Sequence, residues 1–413
     1  MIKKIRVKNF KSFKDLELSL GKVNILIGAN ASGKSNFVQI FRFLRDIARF
    51  DLDNAISQGG VEYLRNVNID FSECLSIEIS HIHNQEGDFV IGTPQRVLKI
   101  NETRYTLVME FGNDKPEFRI VEEKLIWKGN LFESNEQEET INNKKVVGSG
   151  EIIISNVKGN LDEKISISDQ SGKVETSQVT LPKGLKLPGK SIIFGYPSYL
   201  EFSGQPTSSN IFDLDPKLSK MGVPIFAKAD LEEDGSNLVI VIKKILDDPE
   251  KKRMFMNLVS YLLPYVEDIK VDKFTETHYF LKIKETYSDK HYLPAPLISD
   301  GTINALGLIV ALYFQESPLI IIEEPDRGFH PSLISSVVEM MKDATKYSDK
   351  QIIVTTHNPE MVRYADLKNI FLVSRNENGF SSIVKPFRKK DVKIFLENGL
   401  RPEELYVDNL LEM

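Results

Sequence analysis

The chain has little of what would staple, anchor or globally charge it. Its single cysteine, Cys74, excludes an intramolecular disulfide framework and a cysteine-based zinc site, and suits a reducing compartment. No uninterrupted apolar run approaches about 18 residues, the length a membrane-spanning helix needs. Residues 1–20 mix lysine and aspartate with short apolar stretches and hold no signal-peptide core. The expectation is a cytoplasmic protein with no membrane contact. Excess positive charge is missing as well: 53 Lys+Arg against 59 Asp+Glu leave a formal charge of -6, so the molecule as a whole has no electrostatic footprint for nucleic acid. Heptads, internal repeats, zinc-spaced His/Cys clusters and Ser/His/Asp arrangements are also absent. What remains is an ordinary globular composition, 41% hydrophobic and 27% charged over 413 residues, enough for two or three domain-sized units or one domain carrying an insertion.

Against that background one stretch stands out. Val23-Asn24-Ile25-Leu26-Ile27 is an apolar run that meets Gly28-Ala29-Asn30-Ala31-Ser32-Gly33-Lys34-Ser35, a complete G-x-x-x-x-G-K-S phosphate-binding loop. Residues between the two glycines can turn backbone N–H groups around a phosphate while the next helix aims its positive end at the same anion. That helix is predicted by the spacing of Phe37, Ile40, Phe41, Leu44, Ile47 and Ala48, ending near Phe50. Lys34 would reach the outer phosphates and the Ser35 hydroxyl would hold Mg2+. The nucleotide-binding candidates here are Gly28, Asn30, Ala31, Ser32, Gly33, Lys34, Ser35 and Asn36.

Taken in order, Ile2 to Phe10 and Leu16 to Leu20 read as a hairpin leading to the loop. Lys3, Lys4, Arg6, Lys8, Lys11 and Lys14 precede the first acid, Asp15. They read as solvated faces of an edge hairpin, with a local DNA-binding strip as the alternative. Ile56 to Gly60 reads as a break. Short β segments follow at Leu75 to His81, Phe89 to Gly92, Tyr105 to Phe111, Phe118 to Trp127, Glu151 to Val157 and Lys164 to Ser168, with polar tips at Asn135 to Lys145 and Ser171 to Lys190. From Leu238 the spacing becomes helical, through Leu246 and again from Met254 to Leu262, where Pro264 ends it. A strand pair is expected at Ile269 to Val271 and Tyr279 to Ile283.

The last third carries the second block of chemistry. Ser299-Asp300-Gly301-Thr302 opens an apolar helix to Phe314, and by itself is only a good helix cap. Pro318 to Ile322 is a continuous aliphatic run, suited to a strand buried on both faces of a parallel sheet. It ends in Glu323-Glu324. Two carboxylates at the C-terminal end of such a strand are where an α/β ATPase keeps a metal ligand and a water-activating base. Glu323 would hold Mg2+, directly or through water, and Glu324 would polarise the attacking water. The bland alternative is two solvent-facing acids ending a strand. After a helix to about Lys346, a second buried strand, Gln351 to Val354, runs into His357, where an imidazole could touch the γ-phosphate. His330, between Gly328 and Pro331, reads as structural or interfacial. Asn369 to Val373 and Ser382 to Val384 are further strands, and two short helices follow Lys389.

The order of phosphate loop, Ser-x-Gly helix, Glu-Glu strand and His strand resembles the ABC-type ATPase heads of the RecF/SMC/OLD class. Stand-alone bacterial AAA-family ATPases that open with I-x-V-x-N-F-K-S-F are especially similar, here Ile5 to Phe13. The resemblance covers Ile5 to Phe50, Asp234 to Leu238 and Ile298 to about Leu405. It implies an α/β P-loop NTPase fold, an ABC-type head with two lobes and an antiparallel β-rich plus helical insertion between Walker A and Walker B. The expected partition is 1–66, 67–205, 206–290 and 291–413. By the same resemblance ATP and Mg2+ are the ligands, and Glu324 and His357 are catalytic. Ser299 and Gly301 of one chain would complete the ATP site of another, in a homodimer or higher homo-oligomer. Two departures are visible. Glu323 stands where the family has Asp, and the common E-P-E-N-G-L-H-P reads Glu324-Pro325-Asp326-Arg327-Gly328-Phe329-His330-Pro331, replacing residues near the dimer face. The bridging glutamine has no clear counterpart; Gln58 is the nearest candidate.

The resemblance implies an ATP hydrolase whose cycle closes and opens such an assembly, in DNA maintenance or anti-phage defence, with double-stranded DNA as a candidate partner. The rival is an ATP-bound regulatory scaffold that turns over slowly and holds a separate effector protein, a toxin or a nuclease. No nuclease is expected in the same chain: roughly 55 residues follow His357, short of a typical domain, and Asp366, Asp391 and Asp408 are too scattered for a two-metal site. An Asn-Lys-x-Asp guanine-reading motif is missing, which argues against a GTPase.

Overall fold

The computed structural model describes the chain except for residues 67, 71, 84–89, 94–95, 113–117, 134–145, 170–173, 176–190, 193–208, 229, 274, 289 and 412–413. In chain order the elements begin with β1 (Ile2–Phe10), β2 (Phe13–Ser19), β3 (Val23–Ile27), α1 (Lys34–Phe50), α2 (Leu52–Gly59) and α3 (Val61–Leu64). A run of strands follows: β4 (Leu75–Ile82), β5 (Val90–Thr93), β6 (Arg96–Phe111), β7 (Phe118–Glu133), β8 (Val146–Val157), β9 (Asn160–Asp169), β10 (Val174–Glu175) and β11 (Ser209–Phe212). Then come α4 (Pro216–Ser219), β12 (Val223–Pro224), α5 (Leu238–Asp247), α6 (Pro249–Leu262), β13 (Val266–Lys273), β14 (His278–Glu285) and β15 (Leu293–Pro294). The C-terminal third holds α7 (Asp300–Tyr313), β16 (Leu319–Glu323), α8 (Pro331–Tyr347), β17 (Gln351–Thr356), α9 (Pro359–Tyr364) and β18 (Ile370–Arg375), then β19 (Ser381–Val384), α10 (Lys390–Glu397) and α11 (Pro402–Val407).

The chain divides into two compact units. The first comprises Met1–Gly21, Asn36–Ser209 and Arg375–Ile383, and the second Lys22–Ser35, Asn210–Ser374 and Val384–Met413. In the first, a nine-stranded sheet runs β10-β9-β8-β7-β6-β4-β1-β2, with β5 on β6. Its β6 and β7 extend well beyond the expected segments, and the polar tip at Asn135 to Lys145 lies outside the described residues, as does that at Ser171 to Lys190 apart from β10.

One expectation about the first unit is corrected. The break at Ile56 to Gly60 is mostly helix: the Asp51 side chain caps α2 by accepting from Asn54 N–H at 3.0 Å, and Leu52, Ala55 and Ile56 bury its inner face. The basic strip lies on the hairpin at one edge of the sheet, as expected, with β2 outermost and β1 between β2 and β4. Its cations face acids across the ladder. Lys4 and Arg6 meet Glu17 at 2.5 and 2.6 Å, Arg6 also reaches Glu78 at 3.6 Å, and Lys8 is 3.9 Å from Asp15. Lys11 has its pKa lowered by burial and by Arg42. Lys4, Arg6 and Lys8 of the strip are therefore paired with acids within the sheet.

The second unit positions the site. Its sheet has the order β11-β16-β17-β3-β18, and β16, β17, β3 and β18 are parallel. Parallel strands covered on both faces need apolar side chains at nearly every position. Accordingly β3 and β17 are buried throughout and β16 up to Glu323. Helix α7 is buried from Thr302 to Leu312 and, with α5, α6 and α8, forms one core with the sheet. The tail helices bury Val392 and Leu405 in a smaller cluster with Ile27, Val362 and Ile370. A small antiparallel sheet, β12-β14-β13 with β15 on β14, completes the unit. Register aligns Glu323 with Thr355 and Thr356 with Ile27, so the loops opening at Gly28, Glu324 and His357 leave one edge side by side. That edge, at the C-terminal ends of parallel strands, is where open α/β sheets bind ligands.

Candidate active site

The loop after β3 is shaped by backbone constraint. A Cβ on Gly28 would sit 2.2 Å from the Val373 carbonyl oxygen of β18, so any other residue would push the neighbouring strand aside. Ala31 and Gly33 have φ of 61° and 116°, the left-handed turns that let successive N–H groups converge on an anion. Lys34, 8% exposed, folds back so that its Nζ donates to the Gly28 and Ala29 carbonyls at 2.8 and 2.9 Å. Burial lowers its pKa, and the charges of Glu324 and Glu323 oppose that shift. A phosphate entering the loop would give this desolvated ammonium an anionic acceptor in place of neutral carbonyls.

Ser35 Oγ donates to Glu323 Oε2 at 2.7 Å, joining residues 288 apart in sequence. Both are hard oxygen ligands, suited to Mg2+. Among the described residues no group of three or more His, Cys, Asp or Glu could hold a metal. Mg2+ is usually held by one or two protein oxygens, with substrate phosphates and water filling the remaining positions.

Glu324 begins the next loop at φ 48°, a strained conformation for a residue with a Cβ. Its N–H donates to the Thr355 carbonyl at 2.8 Å. Oε1 lies 2.9 Å from His357 Nδ1, and Oε2 accepts from Arg327 Nε and Nη2, each at 3.3 Å. An ionised carboxylate only accepts, so the Nδ1 tautomer that carries the proton satisfies the histidine contact. Arg327 also reaches Asp213 Oδ1 at 3.0 Å and the Leu214 carbonyl at 3.3 Å. Burial works against its charge, but Asp213 and Glu324 outweigh this and its pKa is raised.

The turn carrying these groups is anchored below. Asp326, 7% exposed, accepts from Thr356 Oγ1 at 2.8 Å, while Thr356 Oγ1 also accepts from Asn358 N–H at 3.0 Å. Thr356→Val keeps the shape but strands a buried carboxylate. It should lower unfolding stability by about 2–3 kcal/mol, read as a fall in the urea midpoint; an unchanged midpoint would remove this anchor from the account.

Ser299 caps α7, its Oγ accepting from Thr302 N–H at 3.1 Å. Gly301 faces its own chain, since a Cβ there would sit 2.4 Å from the Gly328 carbonyl oxygen. Asn304 Nδ2 donates to the Arg327 carbonyl at 2.8 Å, so the Ser-x-Gly helix and the turn after β16 are locked together. Asn36 Nδ2 donates to Ser12 Oγ at 2.7 Å in the first unit. Asn30 is exposed, and Ser32 is buried in the phosphate loop. His330 accepts at Nδ1 from Ser332 N–H at 3.3 Å and caps α8. Gln58 lies on α2, and its side chain is outside the described residues.

Sequence reasoning did not find Asp213, the buried Thr356–Asp326 pair or the contact of Arg327 with Glu324; Arg327 entered only as a departure from the family pattern near the expected dimer face.

The AAA ATPase domain family matches residues 1–362. An ATP/GTP phosphatase of Helicobacter pylori is 20% identical over 376 residues, covering 89% of this chain and 88% of that one. The chromosome partition protein Smc of Methanocaldococcus jannaschii is 37% identical over 119 residues, which is 28% of this chain and 10% of Smc. Among solved structures, the SMC head bound to the C-terminal winged-helix domain of ScpA aligns over 93% of this chain and 96% of its own, with a TM-score of 0.50 and 16% identity. The fold is thus an SMC-head-like α/β fold with a large antiparallel sheet, that of a P-loop ABC-type ATPase head. With most of its length matched, the chain belongs to the AAA ATPase domain family.

Proposed function

We propose that the chain binds ATP with Mg2+ in the loop Gly28–Ser35 and hydrolyses it with Glu324 as the general base. Family membership supports ATP binding and hydrolysis. The observation that carries the finer reading is the convergence of Ser35, Glu323, Glu324 and His357 at the ends of three adjacent strands. Lys34 and the loop N–H groups hold the phosphates. Ser35 and Glu323 would hold Mg2+, which when bound would neutralise phosphate charge. Glu324 accepts a proton from water as the water oxygen forms a bond to the γ-phosphorus. The bond to the bridging oxygen breaks, its electron pair leaves with ADP, and the proton passes from Glu324 to solvent. His357 orients Glu324 from the Oε1 side.

The cycle is proposed to close two heads, each ATP lying between the phosphate loop of one and the Ser299/Gly301 helix end of the other. Binding contacts that exist only in the closed state would make ATP a population switch. The partition at 66, 205 and 290 belongs to the same proposal. The pairing of Lys4, Arg6 and Lys8 with acids favours a head that responds to a protein effector over one that senses DNA. The SMC head's winged-helix partner is the precedent.

Steady-state ATP hydrolysis, measured with and without Mg2+ and with and without linear double-stranded DNA, tests this. Turnover that is lost on chelating Mg2+ and indifferent to DNA is expected. Hydrolysis persisting in chelator would overturn the metal assignment, and strong stimulation by DNA would restore a DNA-sensing role.

A further inference from the structure

Arg327 occupies a position where the related pattern has asparagine, and its guanidinium divides between two carboxylates. Nε and Nη2 each lie 3.3 Å from Glu324 Oε2, while Nη2 is 3.0 Å from Asp213 Oδ1. The backbone on both sides is held. Arg327 N–H donates to the Glu324 carbonyl at 3.0 Å, its own carbonyl accepts from Asn304, and Asp213 N–H donates to the Glu233 carbonyl at 2.9 Å. One side chain can therefore shift between two fixed acceptors without moving its loop. The contacts on Oε2 compete directly with a water that would donate to the same oxygen. The other oxygen already faces His357.

We propose that Arg327 is a positioning residue that brakes ATP hydrolysis, holding Glu324 in an ion pair, and that Asp213 releases the brake by drawing the guanidinium away. The inference rests on reading Glu324 as the base. It assigns the regulation of turnover to a contact within one chain, three residues from the base and tied through Asn304 to the Ser-x-Gly helix. A ligand or partner engaging the N-terminal end of that helix would act on the brake through the Arg327 backbone. Asp213, 49% exposed on its side chain, is the second point at which an incoming cation could change the balance, by taking Asp213 from Arg327.

A double-mutant cycle on the full chain tests it, with kcat and KM for ATP measured at saturating Mg2+ and melting temperatures recorded alongside. Asp213→Asn leaves the guanidinium to Glu324 alone and should lower kcat by about three- to tenfold, the size of a coupling between touching neighbours. Arg327→Gln should raise kcat by about the same factor, and KM should stay within about twofold in both, because neither residue is placed on the nucleotide. In the Arg327→Gln background, Asp213→Asn should have no further effect on kcat. Arg327→Lys keeps the charge without the planar fork; it should behave like wild type in sign of response to Asp213→Asn, and it stands in if Arg327→Gln does not fold. Equal, additive losses of kcat in Asp213→Asn and Arg327→Gln would overturn the brake, as would a cycle in which neither changes turnover. Glu324→Gln separates the two levels. If it hydrolyses ATP like wild type, the base assignment fails; if it is silent while the cycle is additive, only the brake fails.

Discussion

Glu324→Gln should lower kcat for ATP hydrolysis by about 10²- to 10⁴-fold, the usual worth of a general base, while ATP still binds. The substitution removes the negative charge and the ability to take a proton, and changes almost no volume. Its surroundings can accept it. The amide oxygen can face Arg327, and the amide N–H can donate to His357 Nδ1 once the imidazole adopts its other tautomer. The left-handed backbone at φ 48° is as strained for glutamine as for glutamate, so no new backbone cost arises. On the proposed reading, ATP binding rests on the loop Gly28–Ser35 and should persist, and a closed assembly should accumulate if two heads share nucleotide. Turnover by rapid quench, nucleotide retention by filtration and assembly size by light scattering are the three readings. A Glu324→Gln protein that turns over ATP at the wild-type rate would sink the assignment of the base.

The second large effect belongs to the phosphate loop. Lys34→Ala should weaken ATP binding by about 10- to 100-fold, since a buried charge-assisted hydrogen bond is worth about 1.5–3 kcal/mol and tenfold corresponds to about 1.4 kcal/mol. Two losses combine. The phosphates lose a cation whose competition from water is already weakened by burial, and the Gly28 and Ala29 carbonyls lose the Nζ that now draws them together. The loop should therefore hold its shape less well even without nucleotide. Calorimetric titration with ATP measures the first loss. The melting temperature of the nucleotide-free protein measures the second, and with its stabilisation by added ATP reduced, both follow from one residue. Wild-type affinity in Lys34→Ala would place the phosphates elsewhere.

The two variants also separate binding from chemistry. One should bind and not turn over, and the other should bind far more weakly.

Much of the site was legible because its pieces are contiguous in sequence. The phosphate loop is eight consecutive residues between an apolar run and a helical spacing. The Glu-Glu pair follows an unbroken aliphatic stretch that only a strand covered on both faces tolerates. The α2 helix was misread because Gln58 to Gly60 looks like a turn, while the capping by Asp51 and the buried spacing of Leu52, Ala55 and Ile56 carry the helix through it. The edge hairpin was legible from its alternation, but its neighbour β4 was not: a strand does not announce its partners, and β1 pairs with β4 as well as β2. Glu78, which pairs with Arg6, is 72 residues away from it (78 − 6).

From the sequence alone came the local chemistry: which loop can cradle phosphate, which strand ends in carboxylates, and which helix Ser299 caps. Local geometry and periodicity act over a few residues, so such features can be read from neighbours along the chain. Tertiary structure alone decided which distant groups share an atom. Strand order sets Ser35 against Glu323, and the return of β11 sets Asp213 against Arg327 across 114 positions. It also decided why Gly301 has no side chain, because the carbonyl of Gly328 takes the space where one would stand. Contacts of this kind depend on packing many apolar faces at once, and no short stretch of sequence contains that information.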